Sequence, residues 1–234
     1  LLAATVFCAL PLCSTEAAAE NILKYDGTTN IHGNAKTWAA KNEYDGIDIR
    51  VTGVDGGYYT DTTEALVLNN QTLNVKGKGK FVSIINTAQN KQIDNNGGIY
   101  AKGGSTVNFT DVDSIYIAAI AGKEGGNDST VISAKDPGRD FKGYTNIVNI
   151  SGNTVQLIGS IDVMHSLGSV FFNRNARHTV NAALSGSDSF WYGSAIGETD
   201  ERTTVNLSLA DGATWIFNAG KSTLNAGGII RNLK

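Results

Sequence analysis

Hydrophobic and polar residues alternate at period two in short segments of this chain, and turns separate the segments. One of them, Thr203–Phe217, reads TTVNLSLADGATWIF. Val205, Leu207 and Leu209 occupy every second position there, with polar residues between them. In an extended strand this pattern places the apolar side chains on one face and the polar ones on the other. An Ala-Asp-Gly-Ala turn and a second apolar run follow, so the segment predicts strand, turn and strand.

The same unit recurs along the chain. It begins at five places, in Gln71–Ile84, Thr106–Ile117, Ile147–Ile158, Thr179–Tyr192 and Thr204–Phe217. Each copy carries an asparagine early in its first strand, namely Asn74, Asn108, Asn149, Asn181 and Asn206. A repeated strand–turn–strand unit with no helix predicts an all-β fold, either a β-solenoid or a β-sandwich. If each unit is one coil of a parallel β-helix, like residues stack about 4.8 Å apart. The asparagines and the apolar residues then form ladders along the axis.

An antiparallel hairpin is the main alternative, because a turn such as Ser-Gly-Asn can fold two strands back on each other. Repetition of a single register favours the solenoid. The unequal intervals between units predict loops that leave one corner of a coil. The glycine-rich and charged stretches GKEGGNDST and KDPGRDFKG, within Asp111–Gly143, are interpreted as such a loop excursion.

The first residues are typical of an export signal. Leu1–Leu12 is an apolar run of the length of a signal-peptide core, and Ala17–Ala19 predicts cleavage before Glu20. A buried core helix and a lipoprotein acylated at Cys13 are the alternatives. Both cysteines, Cys8 and Cys13, precede the predicted cleavage point, so the mature chain has neither a disulfide framework nor a thiol nucleophile. The positively charged start of such a signal is missing, and we expect the chain to be truncated.

Charge and composition narrow the possible partners. Residues 1–19 contain one charged residue, Glu16, so the mature chain has 19 basic and 22 − 1 = 21 acidic residues, a net charge of −2. This balance argues against nucleic acid or an anionic membrane as the main partner. The three histidines, His32, His165 and His178, have no metal-binding spacing, and no cofactor is predicted. The predicted division is a signal peptide (1–19), an irregular N-terminal cap (20–60) and β-helix coils (61–234).

The segment Thr204–Leu224 resembles the passenger domains of autotransporters, the type V secretion adhesins of Gram-negative bacteria. The phrase that carries the resemblance consists of Leu209, Asp211, Gly212, Ala213, Trp215, Ser222 and Leu224. The resemblance implies a right-handed parallel β-helix at the N-terminal end of a protein displayed on the cell surface or released. It also implies an outer-membrane barrel in a C-terminal part, which this sequence does not contain. The implied partners are glycans or proteins of host or neighbouring cells, or further copies of the chain.

Two charged groups are candidate binding sites. Asp111 and Asp113 lie two residues apart, on one face if the stretch is extended, and paired carboxylates suit glycoside chemistry. A solvated turn is the alternative. Lys76, Lys78 and Lys80 alternate with glycines in a compact turn that could hold a phosphate or sulfated sugar through ammonium and backbone N–H groups. Alternatively, these lysines discourage edge-to-edge aggregation.

Trp191 is a third candidate, from the triplet Phe-Trp-Tyr at 190–192. Alternation exposes either Trp191 or its two neighbours, and an exposed indole could stack on a sugar. Packing of Trp191 in the core is the alternative. The repeated units predict a scaffold, and the resemblance to autotransporter passengers implies that it is an exported adhesin and not an enzyme. A β-helix polysaccharide lyase or hydrolase and a structural stalk remain as alternatives.

Overall fold

The computed structural model describes residues 21–29, 42–53, 63–88, 96–120, 129–135, 143–163, 175–197, 202–218 and 230–233. These residues form an all-β structure with sixteen strands and no helix. The strands are β1 (Ile22–Thr29), β2 (Gly46–Gly53), β3 (Thr63–Asn69), β4 (Thr72–Lys76), β5 (Phe81–Ala88), β6 (Asn96–Lys102), β7 (Thr106–Ile120), β8 (Thr130–Ala134), β9 (Thr145–Ile158), β10 (Ser160–Asp162), β11 (Arg177–Ser185), β12 (Phe190–Gly193), β13 (Ala195–Ile196), β14 (Thr203–Ala210), β15 (Thr214–Phe217) and β16 (Ile230–Leu233).

Every pairing between these strands is parallel, and the pairings build one sheet of eleven strands and one of five. In the larger sheet, β7 and β9 are long strands whose two halves pair with different neighbours. The strands therefore form three rows. The asparagine row contains β4, the first halves of β7 and β9, β11, β14 and β16. The tryptophan row contains β1, β2, β5, the second halves of β7 and β9, β12 and β15. The third row is the smaller sheet, in the order β3, β6, β8, β10 and β13.

From β3 to β15 the chain visits these rows in a constant order: third row, asparagine row, tryptophan row. Each visit places a new strand beside the previous one of the same row. Strands joined by a turn, such as β4 and β5, consequently belong to different rows. The parallel pairing rules out the antiparallel hairpin interpretation for these strands.

Each row directs an in-register column of apolar side chains into one core. The columns are Leu73, Val107, Val148, Val180 and Val205 in the asparagine row, Ile49, Ile84, Ile117, Leu157 and Trp191 in the tryptophan row, and Leu66, Ile99, Ile132, Ile161 and Ala195 in the third row. All of these side chains are at most 2% exposed. The predicted apolar ladders are thereby confirmed, and their burial is the main source of stability.

Buried polar side chains lie at the corner where the third row meets the asparagine row. Oδ1 of Asn146 accepts hydrogen bonds from the backbone N–H groups of Gly104 (2.9 Å) and Ser105 (3.0 Å). Nδ2 of Asn146 lies 3.1 Å from Nδ1 of His178, which is fully buried. Because the two backbone donors fix the orientation of the amide, Nδ1 of His178 accepts from Nδ2 and its proton is on Nε2. His32 and His165 lie outside the described residues.

The region 20–60 differs from the irregular cap predicted for it. Its described parts contain β1 and β2, which extend the tryptophan row with full parallel registers. The side chains of Ile47, Ile49 and Val51 are buried in the same core as those of the later coils. The sequence GIDIRV at 46–51 carries the same period-two signal as the recurring unit, and burial of its alternate residues makes it a regular strand.

Other predicted segments fall partly or wholly outside the described residues. The predicted signal peptide, 1–19, is entirely outside them. The predicted excursion at Asp111–Gly143 is described at both ends and in the middle, where β8 joins the third row between the two glycine-rich stretches. Among the described residues there is no helix long and apolar enough to span a membrane.

Candidate functional site

The asparagines of the recurring unit form a ladder of side-chain hydrogen bonds across successive strands. Nδ2 of each donates to Oδ1 of the asparagine before it: 2.9 Å from Asn108 to Asn74, 2.7 Å from Asn149 to Asn108, 2.7 Å from Asn181 to Asn149, and 2.7 Å from Asn206 to Asn181. Asn74 in turn donates to the backbone carbonyl of Asn42 at 3.1 Å. All links therefore point the same way, and the predicted asparagine ladder is confirmed.

Strand register explains why these residues meet. The five asparagines are direct partners in the parallel pairings of β4, β7, β9, β11 and β14. Each follows a buried residue, so its side chain leaves the opposite face of the strand. The next strand, β16, places Asn232 beside Asn206. Sequence reasoning missed this position, although Asn232 precedes a leucine as Asn206 does.

A groove runs over the outer side of this ladder. Its larger part has a volume of about 510 Å³ and its smaller part about 410 Å³. The two parts share Ser151, Ala183 and Ser208, so we treat them as one groove. The larger part crosses β7, β9, β11 and β14 and includes the side-chain positions of Asn149 and Asn181.

Small residues leave the space for the groove. The position two residues after each ladder asparagine holds Thr110, Ser151, Ala183 and Ser208 on those four strands. On β4 the corresponding residue is Lys76, which pairs with Thr110. Sequence reasoning missed this column. The signal that could have found it is the repeated pattern Asn-x-(Thr, Ser or Ala), since a strand carries i and i+2 on the same face.

Asp111 lines the smaller part of the groove, and Asp113 lies outside its lining. Asp111 is exposed and has a φ of 58° that turns the chain between the halves of β7. Oδ2 of Asp113 accepts a hydrogen bond from the backbone N–H of Gly79 at 3.0 Å, and Oδ1 accepts one from Asn153 at 3.4 Å. Asp113 thus accepts hydrogen bonds from neighbouring turns, which agrees with the solvated-turn alternative. Within the described parts of the chain, no three acidic, histidine or cysteine side chains are grouped closely enough to hold a metal ion.

The chain matches no protein-family model, no curated protein and no solved structure. In the phrase that resembles autotransporter passengers, Asp211–Ala213 form the turn between β14 and β15, while Ser222 and Leu224 lie outside the described residues. Asp211 and Gly212 have φ values of 53° and 88°, and the N–H of Ala213 bonds to the carbonyl of Ala210 at 3.0 Å. These two conformations explain the Asp-Gly pair, because few other residues adopt positive φ at low cost.

Two backbone N–H groups of the lysine turn donate to the following coil, and anion binding by this turn stays a prediction. The N–H of Gly77 donates to the carbonyl of Thr110 at 3.0 Å, and the N–H of Gly79 donates to Asp113. Nζ of Lys80 forms an ion pair with Asp45 at 3.2 Å. Two amides and one ammonium are therefore already engaged. Lys76 and Lys78 are exposed, and Lys78 lines the smaller part of the groove.

Trp191 lies in the core and has no exposed surface, so the core alternative describes it. Its register partner in β9 is Leu157, whose side chain points into the core. The residues of β12 therefore alternate between core and surface in step with those of β9. Nε1 of Trp191 donates to the carbonyl of Gly159 at 2.9 Å, and its ring stacks on Trp215 with centroids 5.2 Å apart. The aromatic side chain exposed here is Tyr192, at 41%.

Proposed function

We propose that this chain belongs to an exported passenger of the autotransporter type, folded as a right-handed parallel β-helix, and that it acts as a surface adhesin. The observation that carries the proposal is the groove over an in-register asparagine ladder. It gives a repetitive scaffold an open groove along which amide and hydroxyl groups recur. The resemblance of Thr204–Leu224 to autotransporter passengers supplies the exported context.

The strand order supports the β-helix. Three parallel rows are visited in a constant order, and each visit advances one strand along every row. Coils stacked about 4.8 Å apart have this connectivity, and they bring like residues into columns. Right-handedness follows the strong preference of connections between parallel strands of one sheet. A β-sandwich, in contrast, is built from antiparallel sheets.

The groove favours binding over the other two functions. A polysaccharide lyase or hydrolase needs carboxylates clustered at the cleft. Asp111 is a carboxylate on the lining of the groove, while Asp113 is bonded to a neighbouring turn. A simple stalk needs no groove. Amides and hydroxyls that repeat from strand to strand instead suit many weak contacts with one extended partner.

Export is compatible with how the fold is held together. Both cysteines precede the predicted cleavage point, so stability comes from the apolar columns and from hydrogen bonds between strands. In repeat proteins each unit contacts mainly its neighbours and folding can propagate from coil to coil. A chain of this kind can cross a membrane unfolded and then stack its coils one after another.

Adhesion is tested with source cells that carry or lack the gene. We expect antibodies against residues 20–234 to label intact cells, and deletion to reduce attachment to host or neighbouring cells. Reintroduction of the gene should restore attachment. Labelling only after lysis, or unchanged attachment after deletion, would contradict the proposal. The coding sequence beyond Lys234 gives a second check, since an autotransporter barrel reads as amphipathic strands of about 10 residues.

A further inference from the structure

The middle asparagines of the ladder retain hydrogen-bonding capacity that the ladder does not use. An asparagine amide has two N–H donors and an oxygen with two lone pairs. Asn149 donates once to Asn108 and accepts once from Asn181, and Asn181 likewise donates once and accepts once. Among the described residues these are their only side-chain hydrogen bonds. Each amide therefore keeps one donor and one acceptor, and both amides are partly exposed on the groove.

These donor–acceptor pairs repeat with the strand spacing. Four strands cross the larger part of the groove, so it spans three steps of about 4.8 Å, or roughly 14 Å. The hydroxyl-bearing residues Thr110, Ser151 and Ser208 lie beside the amides along the same direction. A partner that follows the groove thus meets an amide on β9, β11 and β14 and a hydroxyl on β7, β9 and β14.

The larger part of the groove is uncharged. Its lining contains asparagine, serine, threonine, alanine, isoleucine and leucine, while Lys78 and Asp111 line only the smaller part. A charged ligand would lose hydration there without gaining an opposite charge. The complement of an amide with one free donor and one free acceptor is a group that both accepts and donates. Neutral hydroxyl groups meet this requirement.

A peptide strand fits the repeat poorly. Its peptide groups on one side recur every two residues, about 6.8 Å apart, against about 4.8 Å for the ladder. The sugar units of an extended glycan repeat on the length scale of the strand spacing. We infer that the groove binds a linear, uncharged glycan that lies along the asparagine row and crosses β7, β9, β11 and β14. This inference rests on the proposed adhesin function and names its partner class.

The direction of the ladder adds a further property to the site. Every Nδ2 points to the preceding strand and every Oδ1 to the following one, from Asn206 back to Asn74. The remaining donors and acceptors are therefore ordered along the row. A glycan has distinct ends, so it binds this row in one orientation.

The test is calorimetric titration of the full chain with cellohexaose, maltohexaose and mannohexaose, and with the shorter members of each series. We expect at least one series to bind, with affinity rising with length until the groove is filled. Binding should change less than about twofold between low and high salt, because no ion pair is involved. Failure of all three series overturns the inference. Preferential, salt-sensitive binding of a heparin hexasaccharide that is lost in Lys78→Ala also overturns it.

Two variants locate the binding site. Asn181→Asp keeps the size of the side chain but removes its donor and adds a charge, so affinity should fall about tenfold. Ala183→Leu fills the groove at an exposed position without touching the ladder, and should abolish binding even if the first variant folds poorly. Ser114→Leu adds the same side chain at an exposed strand position of the tryptophan row and should bind normally. Equal loss in both leucine variants, or in neither, contradicts the assignment.

The adhesion experiment separates this inference from the proposed function. If cells attach normally but the purified chain binds none of the glycans, the adhesin function is supported and the glycan inference is contradicted. If the purified chain binds a neutral glycan through Asn181 but loss of the gene leaves attachment unchanged, the binding site is supported and the adhesin function is contradicted.

Discussion

Replacement of Trp191 by leucine tests the arrangement of the core most directly. Trp191 has no exposed surface, donates to the carbonyl of Gly159, and stacks on Trp215. Leucine fits the apolar column of the tryptophan row, because the register partner of Trp191 in β9 is Leu157. The change removes a stacking contact of about 1 kcal/mol and a hydrogen bond of about 1 kcal/mol. It also buries less apolar surface, a loss of about 1 kcal/mol. The free energy of unfolding should therefore fall by about 3 kcal/mol.

The assay is urea unfolding followed by far-ultraviolet circular dichroism. With a slope of about 2 kcal/mol per molar urea, the midpoint of Trp191→Leu should fall by about 1.5 M. Tyr192→Leu is the matched control, because it changes the adjacent exposed side chain and should shift stability by about 0.5 kcal/mol or less. If both variants shift the midpoint equally, then Trp191 does not face the core, and the register of β12 against β9 is refuted.

Three further substitutions test the corner, the third row and a close backbone approach by the same unfolding assay. Asn146→Leu should destabilise the chain by about 3 kcal/mol, since the buried N–H of Ser105 loses its acceptor; stability within 0.5 kcal/mol of the parent would contradict the network. Lys135→Met should lower the free energy of unfolding by about 1–3 kcal/mol. It removes the ammonium that lies 2.7 Å from the carboxylate of Asp162, a side chain that is only 10% exposed. Adding Asp162→Asn should recover much of this loss. Gly193→Ala should prevent normal folding, because its Cβ would collide with a backbone carbonyl of the preceding coil; a normal melting curve would show that the coils are further apart.

Strands of the asparagine row could be predicted from sequence because one face of each strand is buried and the other faces solvent. The period-two pattern of Val205 and Leu207 against Asn206 records this difference directly. Repetition at five places then predicts register, since like residues stack on like. The parallel pairing and the ladder follow from that single regularity.

The third row could not be predicted in this way. Its strands are short, and β8 buries four consecutive residues, Val131–Ala134. Such a segment has no period-two alternation, so its sequence predicts a loop excursion instead of a strand. The orientation of Trp191 was ambiguous for a related reason: three aromatic residues in succession are all compatible with a core, and only pairing with Leu157 selects one phase.

The groove depends on relations between coils that no single segment contains. Ser151, Ala183 and Ser208 are unremarkable small residues in their own strands. They form a channel because register places them side by side next to the ladder. The lysine turn also depends on another coil, since two of its backbone donors bond to Thr110 and Asp113 of the following coil.

The ladder also has a consequence for recognition, because it immobilises the amides before any ligand arrives. An immobilised side chain avoids an ordering cost of about 0.5–1.5 kcal/mol on binding. Oδ1 of Asn108 holds the amide of Asn149 at 2.7 Å but is not part of the lining of the groove. Asn108→Leu should therefore weaken glycan binding about two- to tenfold while leaving every lining residue in place. Asn74→Leu, one step further from the groove, should leave affinity unchanged. Equal affinities for the parent and Asn108→Leu would mean that the ladder serves stability alone, and a large loss in Asn74→Leu would mean that the row transmits damage over several strands.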